Sequence, residues 1–99
     1  MSPKPIKIVE KILTHLKLKQ LRLLVAIGEH QSVLHAANAL NTSQPAATKL
    51  IKDLEADFQV ELFSRTNRGM VPTIYGEALI HHGKLILKQI THAAQELDD

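Results

Sequence analysis

Residues 32–58, SVLHAANALNTSQPAATKLIKDLEADF, constrain this chain more than any other stretch. They carry two apolar stripes of helical period, split by a break too short to be anything but a tight elbow. Val33, Ala36, Ala37 and Leu40 recur at i, i+3, i+4 and i+7, and Ala47, Leu50, Ile51, Leu54 and Phe58 repeat that spacing after the break. Ser32 is a good N-cap for the first helix, Asn41 tolerates the left-handed conformation an elbow needs, and Thr42 or Ser43 can cap the second. Pro45 falls in the first turn of that second helix, where a missing N–H costs nothing. The face opposite the stripe holds Gln44, Thr48, Lys49 and Lys52, side chains that hydrogen-bond base edges or neutralise phosphates. A short helix, a turn and a longer helix with a polar, basic outer face is the sequence form of a helix-turn-helix.

The flanks extend the pattern. Pro3 and Pro5 mark a loose start; Val9, Ile12, Leu13 and Leu16 then predict a short helix near 6–15. A helix from about 17–19 to Ile27 follows, with Leu18, Leu21, Leu24 and Val25 as its stripe and Gly28 as its stop. Beyond Phe58, Val60 to Ser64 is strand-like, Thr66 to Gly69 a turn, and Met70 to Pro72 a returning strand that Pro72 restricts to an edge or an end. Thr73 can cap a last long helix, about 74–97, whose stripe includes Tyr75, Ala78, Leu79, Ile86, Ile90, Ala93, Ala94 and Leu97, widened by Ile80, Leu85 and Leu87. The expected fold is mainly α: a winged helix-turn-helix with a two-stranded wing and a long C-terminal helix. Its parts are an N-terminal extension (1–15), the winged unit (16–73) and the final helix (74–99).

Composition limits the function classes. Ninety-nine residues allow one modest core. Only Phe58, Phe63 and Tyr75 are aromatic, too few for the stacking platforms of single-strand binders. The net charge is only +2, but residues 1–22 hold Lys4, Lys7, Lys11, Lys17, Lys19 and Arg22 against Glu10 alone, which suits an anionic partner. Cysteine is absent, and with it disulfide and thiolate chemistry. The start has no apolar signal region, and the run Leu23 to Ile27 is too short to span a bilayer, so a cytoplasmic protein is expected. The six histidines show no i, i+4 pair, so neither a metal site nor any cofactor is expected. No Ser, Thr or carboxylate constellation of a catalytic kind is visible, and the chain reads as a non-enzyme.

The order of several blocks resembles the N-terminal part of LysR-type transcriptional regulators. The carriers are Leu18-Lys19-Gln20-Leu21, Ser32 with Ala36-Ala37 and Leu40, Ser43-Gln44-Pro45-Ala46, Leu54-Glu55, Leu62-Phe63-Ser64-Arg65, Arg68-Gly69 and Thr73-Ile74-Tyr75-Gly76. The resemblance covers roughly Leu18 to Leu97. It implies double-stranded DNA as partner, a promoter dyad as the usual target, a homodimer through the final helix, and a tetramer as an alternative in the full-length protein. It also implies a larger C-terminal effector-binding domain, so that this chain reads as a fragment whose small-molecule effector would bind elsewhere. Three features depart from the family pattern. Thr48-Lys49 stands where Ser-Arg is usual, and lysine lacks the bidentate fork of arginine. Ala46 stands where a second proline is frequent. The first fifteen or so residues precede the family's usual start.

These readings assign DNA contact to Thr42, Ser43, Gln44, Pro45, Thr48, Lys49, Lys52, Arg65 and Arg68. Gln44 pairs with an adenine or takes a phosphate, Pro45 meets a thymine methyl, Lys49 and Lys52 take phosphates, and the wing arginines reach backbone or minor groove. The competing reading of the arginines is exposed loop pairing with Glu61 or Asp57. Asp53 and Glu55 are expected to orient Lys49 or Lys52. Leu79, Ile86, Ile90, Ala93 and Leu97 are assigned to a dimer interface, against packing of the same helix on residues 18–27. For residues 1–15 the alternatives are a helix supporting the dimer or its neighbour, and an arm touching DNA through Lys4 and Lys7. The rival function is a winged-helix protein-interaction module, favoured by low net charge and by Asp53, Glu55, Asp57 and Glu61.

Overall fold

The computed structural model describes the backbone of residues 4–98 and the side chains of residues 8–98. Expectations for Pro3 and for the side chains of Lys4 and Lys7 lie outside the described residues. The chain runs α1 (Lys4–His15), α2 (Leu18–His30), α3 (Val33–Ala39), α4 (Gln44–Phe58), β1 (Phe63–Thr66), β2 (Gly69–Pro72) and α5 (Ile74–Asp98). It is mainly α with one antiparallel hairpin, as expected. The first helix begins two residues earlier than its stripe predicted. Pro5 sits in its first turn, where the absent N–H would have had no partner.

The core is built around α2. Leu21, Leu23, Leu24, Val25, Ala26 and Ile27 are all buried, so this helix is covered on nearly every side rather than along one stripe. Ala36 and Ala37 of α3, Ala47, Ile51 and Leu54 of α4, and Leu62 and Phe63 close the cluster. The small residues let α3 and α4 approach closely. At its start, the buried Gln20 side chain accepts the N–H of Lys17 at 3.0 Å, which satisfies one of the four unpaired donors there.

Gly28 does not stop α2. The helix continues to His30 and ends on Gln31, which is left-handed (φ 55°) and donates its N–H to Ile27 at 2.7 Å. The glycine serves packing instead: a Cβ there would stand 2.7 Å from Ile80 Cδ1 of α5. Gly83 makes the matching approach from α5, where a Cβ would meet Leu21 at 3.0 Å. α2 and α5 therefore cross through two glycine contacts, one on each helix.

The hairpin starts later than its apolar run suggested. Leu62 and Phe63 give their N–H groups to the Glu55 carboxylate at 2.7 and 3.4 Å, so regular pairing begins only at Phe63↔Pro72 and ends at Thr66↔Gly69. Asn67 and Arg68 form the two-residue loop. Pro72 closes β2, an end position that requires no N–H from it. Gly69 has φ 105°, and its Cα faces the Gln31 carbonyl too closely for any side chain. Next to it, Met70 donates its N–H to the Gln31 carbonyl at 3.1 Å and ties the wing to the α2–α3 corner. Thr73 caps α5 as expected, accepting from the Gly76 N–H at 3.1 Å and donating to the Glu61 carbonyl at 2.6 Å.

Candidate nucleic-acid interface

The elbow between α3 and α4 is built from local chemistry. Ser32 accepts the His35 N–H at 3.1 Å and starts α3. At the other end, Asn41 is left-handed (φ 57°), and the N–H groups of Thr42 and Asn41 return to the carbonyls of Ala37 (2.9 Å) and Asn38 (3.2 Å). This pair of reverse bonds is the Schellman ending, and it turns the chain within two residues. Ser43 then accepts the Ala46 N–H at 3.2 Å and opens α4. One lone pair of its oxygen thus serves the cap, and its hydroxyl proton remains available to an outside acceptor.

α4 divides cleanly into two faces. Ala47, Ile51 and Leu54 are buried, with Leu50 and Phe58 half-buried against the core. Gln44, Pro45, Lys49 and Lys52 are exposed and Thr48 is half-buried. These five, with Asp53, line one shallow depression along the helix. Five of the nine residues assigned to DNA are therefore side by side on one surface.

A second cleft runs along the other flank of α4. Lys19, Arg22 and Leu23 of α2 face Leu40 and Thr42 of the elbow and Ala46, Lys49, Leu50 and Asp53 of α4. Thr42 faces this cleft rather than the depression of Gln44. Lys49 and Asp53 border both and form the ridge between them. Lys49 Nζ lies 2.8 Å from Asp53 Oδ2, one turn along the helix. That hydrogen bond, and then the charge of Asp53, holds the Lys49 ammonium above the ordinary lysine range. Glu55 does not pair with either lysine as expected; it is turned inward, onto the N–H groups of Leu62 and Phe63. Lys19 and Arg22 were not among the residues assigned to DNA. The signal that could have found them is the basic excess of residues 1–22, of which the fold brings this pair to the α4 cleft.

The wing arginines stand apart from both depressions. Arg65 lies exposed on β1 and Arg68 in the loop, where its N–H donates to Thr66 Oγ1 at 3.1 Å. Among the described residues the Lys49–Asp53 pair is the one ion pair, so neither arginine is engaged by Glu61 or Asp57. The Asp57 carbonyl instead accepts from Lys11 Nζ at 2.8 Å, which fastens α1 to the end of α4. A lysine there complements the negative end of that helix.

The chain matches the model of the bacterial regulatory helix-turn-helix proteins of the lysR family over residues 18–77. It belongs to the LysR family. This LysR-type domain is 46% identical over 84 residues to the transcriptional regulator GbpR of Azospirillum brasilense, covering 85% of this chain and 25% of that protein. The chain thus spans about a quarter of the length of the curated relatives it matches. Among solved structures it is similar to the CbnR DNA-binding domain in complex with DNA (TM-score 0.76, 30% identity, 84% of this chain and 95% of that one). It is also similar to the BenM DNA-binding domain bound to catB site 1 DNA (TM-score 0.80, 26% identity, 84% and 92%). This LysR-type domain is therefore a helix-turn-helix DNA-binding domain of transcriptional-regulator type. The match begins at Leu18, so α1 lies outside it.

α5 runs for 25 residues, about 37 Å. Leu79, Ile80 and Leu87 are half-buried against the core, and from Lys88 to Asp98 every residue is exposed. Leu79 therefore belongs largely to the domain's own packing. Leu85, Ile86, Gln89, Ile90 and Ala93 line one shallow, mostly apolar face, and Leu97 near the end is 88% exposed. Among the described residues no group of three or more His, Cys, Asp or Glu is placed to hold a metal ion, and no helix is long and apolar enough to cross a membrane.

Proposed function

We propose that this chain reads double-stranded DNA sequence-specifically for a cytoplasmic transcriptional regulator, as a dimer on a dyad site. The observation that carries the reading is the single surface formed by Gln44, Pro45, Thr48, Lys49 and Lys52 on the outer face of α4. In this reading α4 enters the major groove. Gln44 and Thr48 meet base edges, Pro45 a thymine methyl, and Lys49 and Lys52 phosphates. Thr42 and Ser43 approach the backbone at the elbow, and Arg65 and Arg68 carry the wing to the backbone or the adjacent minor groove. The exposed face of α5, with Ile86, Ile90, Ala93 and Leu97, joins two copies, and so places two recognition helices on one duplex. A small-molecule effector would act through the part of its relatives' length that this chain does not cover. The family's DNA complexes support the reading.

The rival, a protein-interaction module, rests on the acids near α4. Two of them are already engaged, Asp53 by Lys49 and Glu55 by backbone N–H groups, so they form no free acidic patch. Fluorescence anisotropy separates the readings. Labelled duplexes with and without an interrupted dyad bearing T and A at its outer positions are titrated across a salt series. Binding that steepens as salt falls, and favours the dyad, is expected. No binding to any duplex at low salt would leave the interaction module standing.

A further inference from the structure

Of the residues lining the cleft between α2 and α4, only Thr42 and Lys49 have a role in the reading above. Its floor is apolar, made by Leu23, Leu40 and Leu50. Its rim carries three cations, Lys19, Arg22 and Lys49, and one carboxylate, Asp53. Lys19 and Arg22 are three residues apart on one face of α2, both exposed, and neither has a carboxylate within ion-pair distance among the described residues. Unpaired cations converging on a cleft with apolar walls focus positive potential there. An arginine beside a lysine suits a phosphodiester in particular, because the guanidinium fork bonds two oxygens of one phosphate while lysine supplies a movable point charge.

We propose that this cleft is a phosphate-binding site for the DNA strand bordering the groove that α4 enters, with Lys19 and Arg22 as its ligands and Asp53 as a built-in brake on affinity. The proposal rests on the duplex-DNA reading and extends it from α4 to the first turns of α2. Lys49, on the ridge, serves whichever side offers the nearer phosphate. Asp53 opposes binding in two ways. Its carboxylate repels the phosphate that Lys19 and Arg22 attract, and its pairing with Lys49 at 2.8 Å must loosen before Lys49 contacts DNA. The fold has little need of this pair, whose side chains are 76% and 54% exposed and whose order along the helix, lysine before acid, is the weaker one. Removing any of these side chains therefore leaves a folded protein in which to measure binding.

The test is the salt dependence of binding to a duplex enriched by this chain from a random pool and to a scrambled version of it. Lys19→Ala with Arg22→Ala should weaken both duplexes to a similar degree and lower the slope of log affinity against log salt by about 1.8, the release expected for two phosphates. Asp53→Asn should tighten both, roughly three- to tenfold at low salt, from one carboxylate fewer within a Debye length of the phosphates. Lys88→Ala on α5 removes a charge outside the cleft and should leave the slope unchanged. A slope for the double variant equal to wild type, or lowered as much by Lys88→Ala, overturns the site. Unchanged or weaker binding by Asp53→Asn overturns the brake. If wild type binds no duplex, the underlying DNA reading fails, and the site fails with it for that separate reason.

Discussion

Glu55 Oε2 accepts the backbone N–H of Leu62 at 2.7 Å, seven residues along the chain. The bond spans the join between α4 and the wing and replaces the strand pairing that Leu62 lacks on that side. Charge-assisted bonds to a half-buried carboxylate are worth more than neutral ones. Glu55→Ala should therefore lower unfolding free energy by about 2 kcal/mol, with Glu55→Gln losing less because its amide oxygen still accepts. Urea denaturation of the three proteins measures this; an unchanged midpoint for the alanine variant would remove Glu55 from the account of how the wing is held.

Gly69 is the narrowest point of the wing. Its φ of 105° and its approach to the Gln31 carbonyl both exclude a side chain. Gly69→Ala should cost about 2–3 kcal/mol, since the strained backbone and the contact cannot both be relieved without releasing the Met70 N–H from Gln31. Amide exchange at Met70 should then accelerate ahead of global unfolding. Protection equal to wild type would show that the wing has another anchor.

Thr48 and Lys49 are neighbours with different expected roles. Thr48→Ala should reduce discrimination between dyad and random DNA with little change in salt slope. Lys49→Ala should weaken both duplexes and flatten the slope by roughly 0.9, one phosphate's share. Asp53 raises the proton affinity of Lys49. A raised folded value means that the ammonium is fully present at every pH below the ordinary lysine range and is lost only as pH rises through a still higher value. The loss on Lys49→Ala should therefore be the same at pH 6 and pH 9. Equal affinity of wild type and variant for every duplex would reject the phosphate role.

Ile86 and Ile90 lie on the same face of α5 and are 42% and 41% exposed, so they contribute little to the monomer's core. Replacing both by Glu should leave helix content and unfolding midpoint near wild type while shifting sedimentation from dimer to monomer and weakening dyad binding. A wild-type chain that sediments as a monomer at tens of micromolar would count against the interface itself.

Much of the reading helix could be read residue by residue. The Ser32 cap, the left-handed Asn41, Pro45 in the first turn and the stripe Ala47, Ile51, Leu54 depend on neighbours within four or five positions, and each formed where expected, while of Thr42 and Ser43 it is Ser43 that caps α4. Gly28 differs from its local expectation for the converse reason. Taken locally, a glycine after an apolar stripe is a helix stop, but here its meaning is the nearness of Ile80, fifty-two positions away.

The same division runs through the interface. Helical period and capping depend on spacing along the chain, so the two-helix unit and the polar face of α4 are properties of residues 32–58 alone. Which of the basic residues in the first two helices would stand beside that face is not. Lys19 and Arg22 border the α4 cleft, whereas Lys11 is bound to the Asp57 carbonyl, because burying α2 among α3, α4 and α5 fixes the rotation and direction of each helix. The inward turn of Glu55, the pairing of Asp53 with Lys49 and the division of α5 between Leu87 and Ile90 follow from that packing too. A side chain's partner across the fold is chosen by the burial of the whole core, which no spacing rule contains.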